Sequence, residues 1–188
     1  AVIEVNELQK RRVIGKLRRY LGDELRGRRI GLLGLAFKPN TDDIREASAI
    51  VLASRLLAEG AQVAAYDPIA IDNMKALLPC VTYANSAMEA LAGADACVLV
   101  TEWKEFVELD WAAARRVMAR PLVIDGRNAL DGRLLCSLGY EYEGVGTRID
   151  WSESRNEAAA ADVDATAPAP KAPEPPHPAR RVPTHPIA

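Results

Sequence analysis

The 188-residue sequence predicts an α/β protein, a doubly wound parallel sheet preceded by a long helix and followed by a disordered tail. Three observations carry this. Short apolar runs alternate with segments of helical period, the pattern of a parallel sheet whose strands are joined by crossover helices. The run ACVLV at residues 96–100 has almost no polar alternation, as burial on both sheet faces produces. The composition also breaks at Ser152, and eight of the twelve prolines fall between Pro168 and Pro186 among alanines. Such a segment lacks the apolar side chains that offset its ordering entropy.

The elements follow in order. Residues 2–26 hold no proline, and Ile14, Leu17, Leu21 and Leu25 recur at helical spacing. Starting abruptly at Ala1, this helix reads as the surviving end of a longer one. Its basic run, Lys10, Arg11, Arg12, Lys16, Arg18 and Arg19, reads either as a solvated face or as a phosphate contact. After Gly27 the period changes. Residues 28–33 form a strand ending in a glycine turn, and 47–59 a helix on Ile50, Val51, Leu52, Leu56 and Leu57 capped by Gly60. A strand at 62–66 ends in Asp67-Pro68, and a helix through Met74, Leu77 and Leu78 stops near Pro79. Residues 81–83 make a short strand. Ser86 then caps a brief helix to Leu91, with Glu89 as its capping-box partner. The central strand 96–100 leads to a helix over 111–118, a strand at 122–124, a helix over 133–138 and a strand near 140–145. The domain limits are therefore 1–26 for the helix, 27–150 for the Rossmann-like α/β domain and 151–188 for the tail.

Composition excludes several functions. Twenty-four basic against 26 acidic side chains leave a net charge of −2, so the total argues for neither a nucleic-acid nor a membrane partner. No apolar run approaches the roughly 20 residues of a membrane helix, and no N-terminal stretch reads as a signal peptide. A cytoplasmic location is the expectation. Cys80, Cys97 and Cys136 are odd in number and far apart, which fits reduced thiols rather than a disulfide framework. Both histidines, His177 and His185, lie in the tail, so the fold has no imidazole for acid–base chemistry or metal binding. Cys97 lies inside the central strand and no cysteine has a basic neighbour in sequence, so each reads as a small hydrophobe.

Chemistry belongs at the carboxyl ends of the strands, which a parallel sheet gathers on one edge. Lys38, residues 101–104 and Arg127 should meet there. Two cations beside a glycine turn suit a phosphate ester, Arg127 holding it bidentately and Lys38 acting as a mobile charge. The alternative is that both pair with Asp42, Asp43 or Asp125. Gly31-x-x-Gly34 is neither a complete dinucleotide fingerprint nor a Walker A loop. Asp67 stands where a ribose-binding acid sits in dinucleotide folds, but beside proline it reads as a turn former. Asp42, Asp43 and Glu46 read as acids at a helix start, where Arg45 has the wrong sign and needs a partner acid or a ligand.

The runs VNELQKRR, GRRIGLLGLAFKPNTDDIREAS, AYDP, TEWKEF, VIDGRN and GVGTR, in this order, carry a specific resemblance. Over residues 2–148 they resemble the C-terminal portion of the UDP-glucose 6-dehydrogenases, in a family that includes GDP-mannose and UDP-N-acetylmannosamine dehydrogenases. The closing GVGTR, with its extra Thr147, and the tail depart from the family's pattern. The resemblance implies an N-terminal NAD-binding domain, a central dimerisation helix and a C-terminal UDP-binding domain. Residues 1–26 would be the end of that helix, making a homodimer the expected assembly.

It further implies that Phe37, Lys38 and Arg127 contact the UDP-sugar and that Arg45 reaches NAD. The family oxidises the sugar C6 alcohol to a carboxylate, giving UDP-glucuronate and passing two hydrides to two NAD molecules through a cysteine thiohemiacetal and thioester. The GGxCFPKD-type segment that carries that cysteine and the GxGYVG loop are absent from this sequence. The expectation is a fragment with no catalytic residue of its own, inactive alone, with NAD held mainly by the other domain. Two alternatives stand beside this one. They are oxidation of another nucleotide sugar (GDP-mannose or UDP-N-acetylmannosamine) and a receiver-like signalling module, a second doubly wound fold with acids and a lysine at strand ends.

Overall fold

A computed structural model describes the backbone of residues 2–147 and the side chains from Arg12 onward. The expected tail at 151–188 and the side chains of Lys10 and Arg11 lie outside the described residues.

Helix α1 (Val2–Leu21) is followed by β1 (Arg29–Leu33), α2 (Ser48–Ala58), β2 (Gln62–Tyr66), α3 (Ile71–Leu77) and β3 (Thr82–Tyr83). Then come α4 (Ala87–Leu91), β4 (Ala96–Leu99), α5 (Lys104–Val107), α6 (Trp111–Val117), β5 (Leu122–Asp125), α7 (Gly132–Ser137) and β6 (Glu141–Gly144). The six strands pair in parallel in the order β3-β2-β1-β4-β5-β6. The chain winds outward from β1 in one direction and from β4 in the other. The order reverses between those two strands, which opens a crevice at their carboxyl ends. Receiver-type folds run 2-1-3-4-5 instead, so the signalling alternative fails on topology. As expected from its unbroken apolar run, β4 is central and all four of its residues are buried.

Strand periodicity divides the core into two layers. Ile30, Leu32, Val98, Leu122 and Ile124 face Leu17, Leu21, Leu52 and Leu56 of α1 and α2. Leu33, Cys97, Leu99 and Val123 face Leu91, Phe106, Trp111, Leu135 and Tyr140. Gly31 points into the second layer, where a Cβ would come within 2.9 Å of Leu91 Cδ2 and 3.1 Å of the Ala90 carbonyl. Helix α4 therefore rests directly on β1. Helix α1 packs beside α2 and reaches β5, covering the part of that face which the crossover helices leave open. Each fully buried leucine on it, such as Leu17, is worth about 2 kcal/mol of apolar transfer.

The departures from expectation have local causes. Helix α1 ends at Leu21 rather than near residue 26, because Gly22 turns at φ 97° and its N–H bonds the Arg18 carbonyl at 2.9 Å. Leu25 is nevertheless buried. Ser86 does cap α4, accepting from Glu89 N at 3.1 Å, but the Glu89 carboxylate reaches back to Asn85 N at 2.8 Å rather than to Ser86. The capping box is displaced by one residue. Helix α5 is four residues long, too short to show a period in sequence. The basic run of α1 is not simply solvated. Lys16 donates to the Gly144 carbonyl at 2.5 Å and pairs with the buried Glu143 at 3.5 Å, and Arg19 meets the same carboxylate at 3.2 Å.

Candidate functional site

The carboxyl edge of the sheet is held together by one glycine, one threonine and one buried carboxylate. Gly34 leaves β1 at φ 94° and donates to the Tyr66 carbonyl at 2.9 Å. A Cβ there would lie 2.6 Å from Thr101 N, so only glycine lets the loop after β1 press against the loop after β4. Thr101 Oγ1 donates to the Ala36 carbonyl at 2.6 Å across the same contact. Asp67 lies beneath, 1% exposed, and accepts five hydrogen bonds. Oδ2 takes Leu35 N, Ala36 N and Trp103 Nε1 at 2.7, 3.1 and 3.1 Å. Oδ1 takes Ile69 N and Ala70 N at 2.9 and 2.8 Å. The turn-forming reading of Asp67 holds, and the residue also ties three strand-end loops together.

On this platform stands the segment that carries Phe37 and Lys38. Phe37 N donates to the Asp43 carbonyl at 2.9 Å, closing residues 38–42 into a projecting loop. The Phe37 side chain is 51% exposed and Lys38 is exposed beside it. An aromatic ring with half its surface in water next to a lysine is an apolar face and a charge offered together. The acids that follow are not helix-start residues. Helix α2 begins at Ser48 with no acid in its first turn, and Asp43 caps a local turn instead, accepting Arg45 N at 2.9 Å. It also takes Arg45 Nε at 2.9 Å and Nη2 at 2.7 Å. These bonds hold the Asp43 carboxyl down to about 2. Arg45 thus has the partner acid that its sign demanded. Glu46, at φ 58°, occupies the left-handed position of a turn closed by Ala47 N on the Ile44 carbonyl. Sidechain-bearing residues other than asparagine and aspartate rarely adopt this conformation.

Arg127 rises from the end of β5. Its backbone N–H bonds Asp125 Oδ1 at 2.9 Å, while Asp125 Oδ2 accepts from Leu130 N at 2.9 Å and Tyr142 Oη at 3.0 Å. Asp125 is fully buried and committed to these donors. The guanidinium turns to Glu102 after β4, with Nε to Oε2 at 2.5 Å and Nη2 to Oε1 at 2.9 Å. That pairing draws the Glu102 carboxyl below its ordinary range and raises Arg127. Neither Asp42, Asp43 nor Asp125 takes the side chain, and sequence gave no sign of Glu102 beyond its place after the central strand. Lys38 forms no ion pair among the described residues.

A cavity of about 560 Å³ opens beside this edge between α1 and the ends of β5 and β6. Arg12, Lys16, Arg19 and Glu143 line it, and Lys16 and Arg19 spend their charge on Glu143. Cys97 and Cys136 are buried, and burial pushes both thiols up, away from the thiolate a nucleophile needs. Among the described residues no three His, Cys, Asp or Glu side chains gather to hold a metal. The crevice is also a poor fit for a dinucleotide bound in the usual way. The acid after β2 that would meet a ribose is buried and fully occupied by protein donors.

Residues 31–132, more than half of the chain, match the model of the UDP-glucose/GDP-mannose dehydrogenase family, UDP binding domain. The chain belongs to this family. It is 42% identical over 149 residues to UDP-glucose 6-dehydrogenase YwqF of Bacillus subtilis, covering 79% of this chain and 34% of that protein. With UDP-glucose 6-dehydrogenase AglM of Haloferax volcanii it shares 43% over 145 residues, 77% of this chain and 32% of the relative. A solved UDP-glucose dehydrogenase from Pyrobaculum islandicum superposes with a TM-score of 0.66 at 37% identity, over 77% of this chain and 31% of that one. The chain therefore spans about a third of the length of the relatives it matches. Among the described residues no helix is long and apolar enough to cross a membrane.

Proposed function

We propose that this UDP-binding domain holds the nucleotide sugar of an NAD-dependent UDP-glucose 6-dehydrogenase. Phe37, Lys38 and Arg127 are its contacts, and Arg45 is directed to NAD. The observation that carries the reading is that Lys38 and Arg127 stand on the loops after β1 and β5, either side of β4. Gly34, Asp67 and Thr101 fasten the β1 loop to the β2 and β4 loops, and Glu102 joins Arg127 to the β4 loop. Lys38 supplies an unpaired charge and Phe37 an exposed ring for the nucleoside. Arg127 supplies a planar fork for the diphosphate. NAD, held mainly by a domain outside this chain, would accept the two hydrides that take the C6 alcohol of UDP-glucose to the carboxylate of UDP-glucuronate. This chain contributes binding and orientation, with no catalytic residue and no activity alone. A homodimer through the central helix, of which residues 1–26 would be the end, completes the proposed assembly.

Calorimetric titration of UDP into the 188-residue chain tests the reading. Lys38→Ala and Arg127→Ala should each weaken binding by about 1.5 to 3 kcal/mol, the range of charge-assisted hydrogen bonds. Wild-type affinity in both variants would refute it. In the full-length protein, Arg45→Ala should raise the apparent KM for NAD, and a change confined to the UDP-sugar would contradict its assignment.

A further inference from the structure

The pairing of Arg127 with Glu102 differs from most of the other described arginine ion pairs. In Arg18–Glu59, Arg28–Asp95 and Arg120–Glu141 one terminal nitrogen meets the carboxylate, at 3.1, 3.5 and 2.7 Å. Arg127 instead presents its side edge, Nε and Nη2, to both oxygens of Glu102. Only Arg45 with Asp43, the other arginine of the site, repeats this geometry among the described pairs.

Both ends of the Arg127–Glu102 pair stand on fixed backbone. Glu102 lies between two anchored neighbours, Thr101 bonded to the Ala36 carbonyl and Trp103 bonded to Asp67. Arg127 follows the buried Asp125 and precedes Asn128, whose side chain is bonded twice to Val145, from Nδ2 to the carbonyl at 2.9 Å and from the backbone N–H to Oδ1 at 2.6 Å. Strands β4 and β5 bring the two loops side by side, with Leu99 opposite Asp125. A surface pair between two long, free side chains has no such definition.

A guanidinium carries five N–H donors in one plane. Glu102 engages two of them, and the three that remain include the pair of N–H groups along the Nη1–Nη2 end. That end matches a second oxyanion while the side edge stays on Glu102. We propose that Glu102 is the positioning residue of the site. It fixes the Arg127 guanidinium across the β4–β5 edge, so that its free end meets the diphosphate without first being ordered. The proposal rests on the UDP reading of Arg127. The carboxylate also offsets part of the arginine's charge, but at half-exposed positions solvent screens that repulsion. Ordering a long side chain on binding is the larger cost.

The test is UDP titration into the 188-residue chain carrying Glu102→Ala, Glu102→Gln, Arg127→Ala or the double change, with thermal unfolding of each as a check on folding. Glu102→Ala should weaken UDP by roughly threefold to tenfold, the effect of ordering one flexible side chain. Glu102→Gln, which keeps one acceptor, should fall between it and the wild type. In the Arg127→Ala background, Glu102→Ala should have no further effect, an outcome that a merely structural role would not produce. Unchanged or tighter binding in Glu102→Ala, with Arg127→Ala still weakened, would overturn the positioning role and leave the UDP reading standing. Wild-type binding in Arg127→Ala would overturn both the positioning role and the assignment of Arg127 to UDP.

Discussion

Asp67 shows how much one side chain can determine. It is a carboxylate 1% exposed with five donors around it, and all of them come from backbone N–H groups and an indole. Asparagine has the same shape but replaces one acceptor oxygen with a donor, so an NH2 group would face other N–H groups wherever it points. Asp67→Asn should therefore destabilise the domain by about 2 to 4 kcal/mol, the combined loss of charged acceptors and unsatisfied buried donors. Urea unfolding would measure it, and a loss under about 1 kcal/mol would mean that the five bonds are worth far less than buried charge-assisted bonds usually are. Because Leu35 N and Ala36 N lead straight into Phe37 and Lys38, the same variant should weaken UDP binding without touching a contact residue.

Helix α1 joins the domain through charge as well as leucines. Lys16 has a side chain 12% exposed and that of Glu143 is 7% exposed, so their pair is mostly desolvated and Arg19 completes a triad. Removing Lys16 leaves the buried Glu143 carboxylate with only the half-exposed Arg19. Lys16→Met keeps the apolar stem yet should cost about 2 to 4 kcal/mol, while Lys16→Met with Glu143→Leu should recover most of it. Strictly additive single effects in urea unfolding would rule out the coupling. This triad also shows what could be read from sequence and what could not. The strands, their central member and the edge carrying Lys38 and Arg127 followed from apolar runs and turns, which are local. Asp43 and Arg45 are two residues apart, and the sign of Arg45 calls for a partner acid or a ligand without singling out Asp43. Lys16 with Glu143, Arg127 with Glu102 and Asp67 with Trp103 are pairings across the sheet. They depend on strand order and register, which no periodicity encodes. The end of α1 at Leu21 was missed because leucine spacing runs on to Leu25, while a single glycine decides the turn.

For the molecule as a whole, buried phenols and thiols should set the alkaline limit of stability. Tyr140 and Tyr142 are buried and their hydroxyls donate to the Trp111 carbonyl and Asp125, while Cys97 lies in the core. Burial raises all three above their ordinary values of 10.0 for tyrosine and 9.0 for cysteine, and Asp125 adds to the shift of Tyr142 and Cys97. Raised folded values mean that the fold retains protons which the unfolded chain releases. The contribution is complete below the ordinary values and is lost as pH climbs through them toward the folded ones. At the acid end the sign reverses. Asp43, held down to about 2, and the lowered Glu102 favour the fold above the usual carboxylate range, and their contribution fades as pH falls below it. Each group that stays protonated only in the fold tilts stability by up to about 1.4 kcal/mol per pH unit. Unfolding free energy should therefore be level from about pH 6 to 8 and fall by more than about 2 kcal/mol between roughly pH 9 and 11. Tyr140→Phe separates this from general alkaline repulsion. It should lose about 1 kcal/mol at neutral pH with its hydrogen bond, and then decline less steeply than the wild type above about pH 10. Parallel alkaline slopes for the two proteins in urea titrations would show that Tyr140 does not carry the effect.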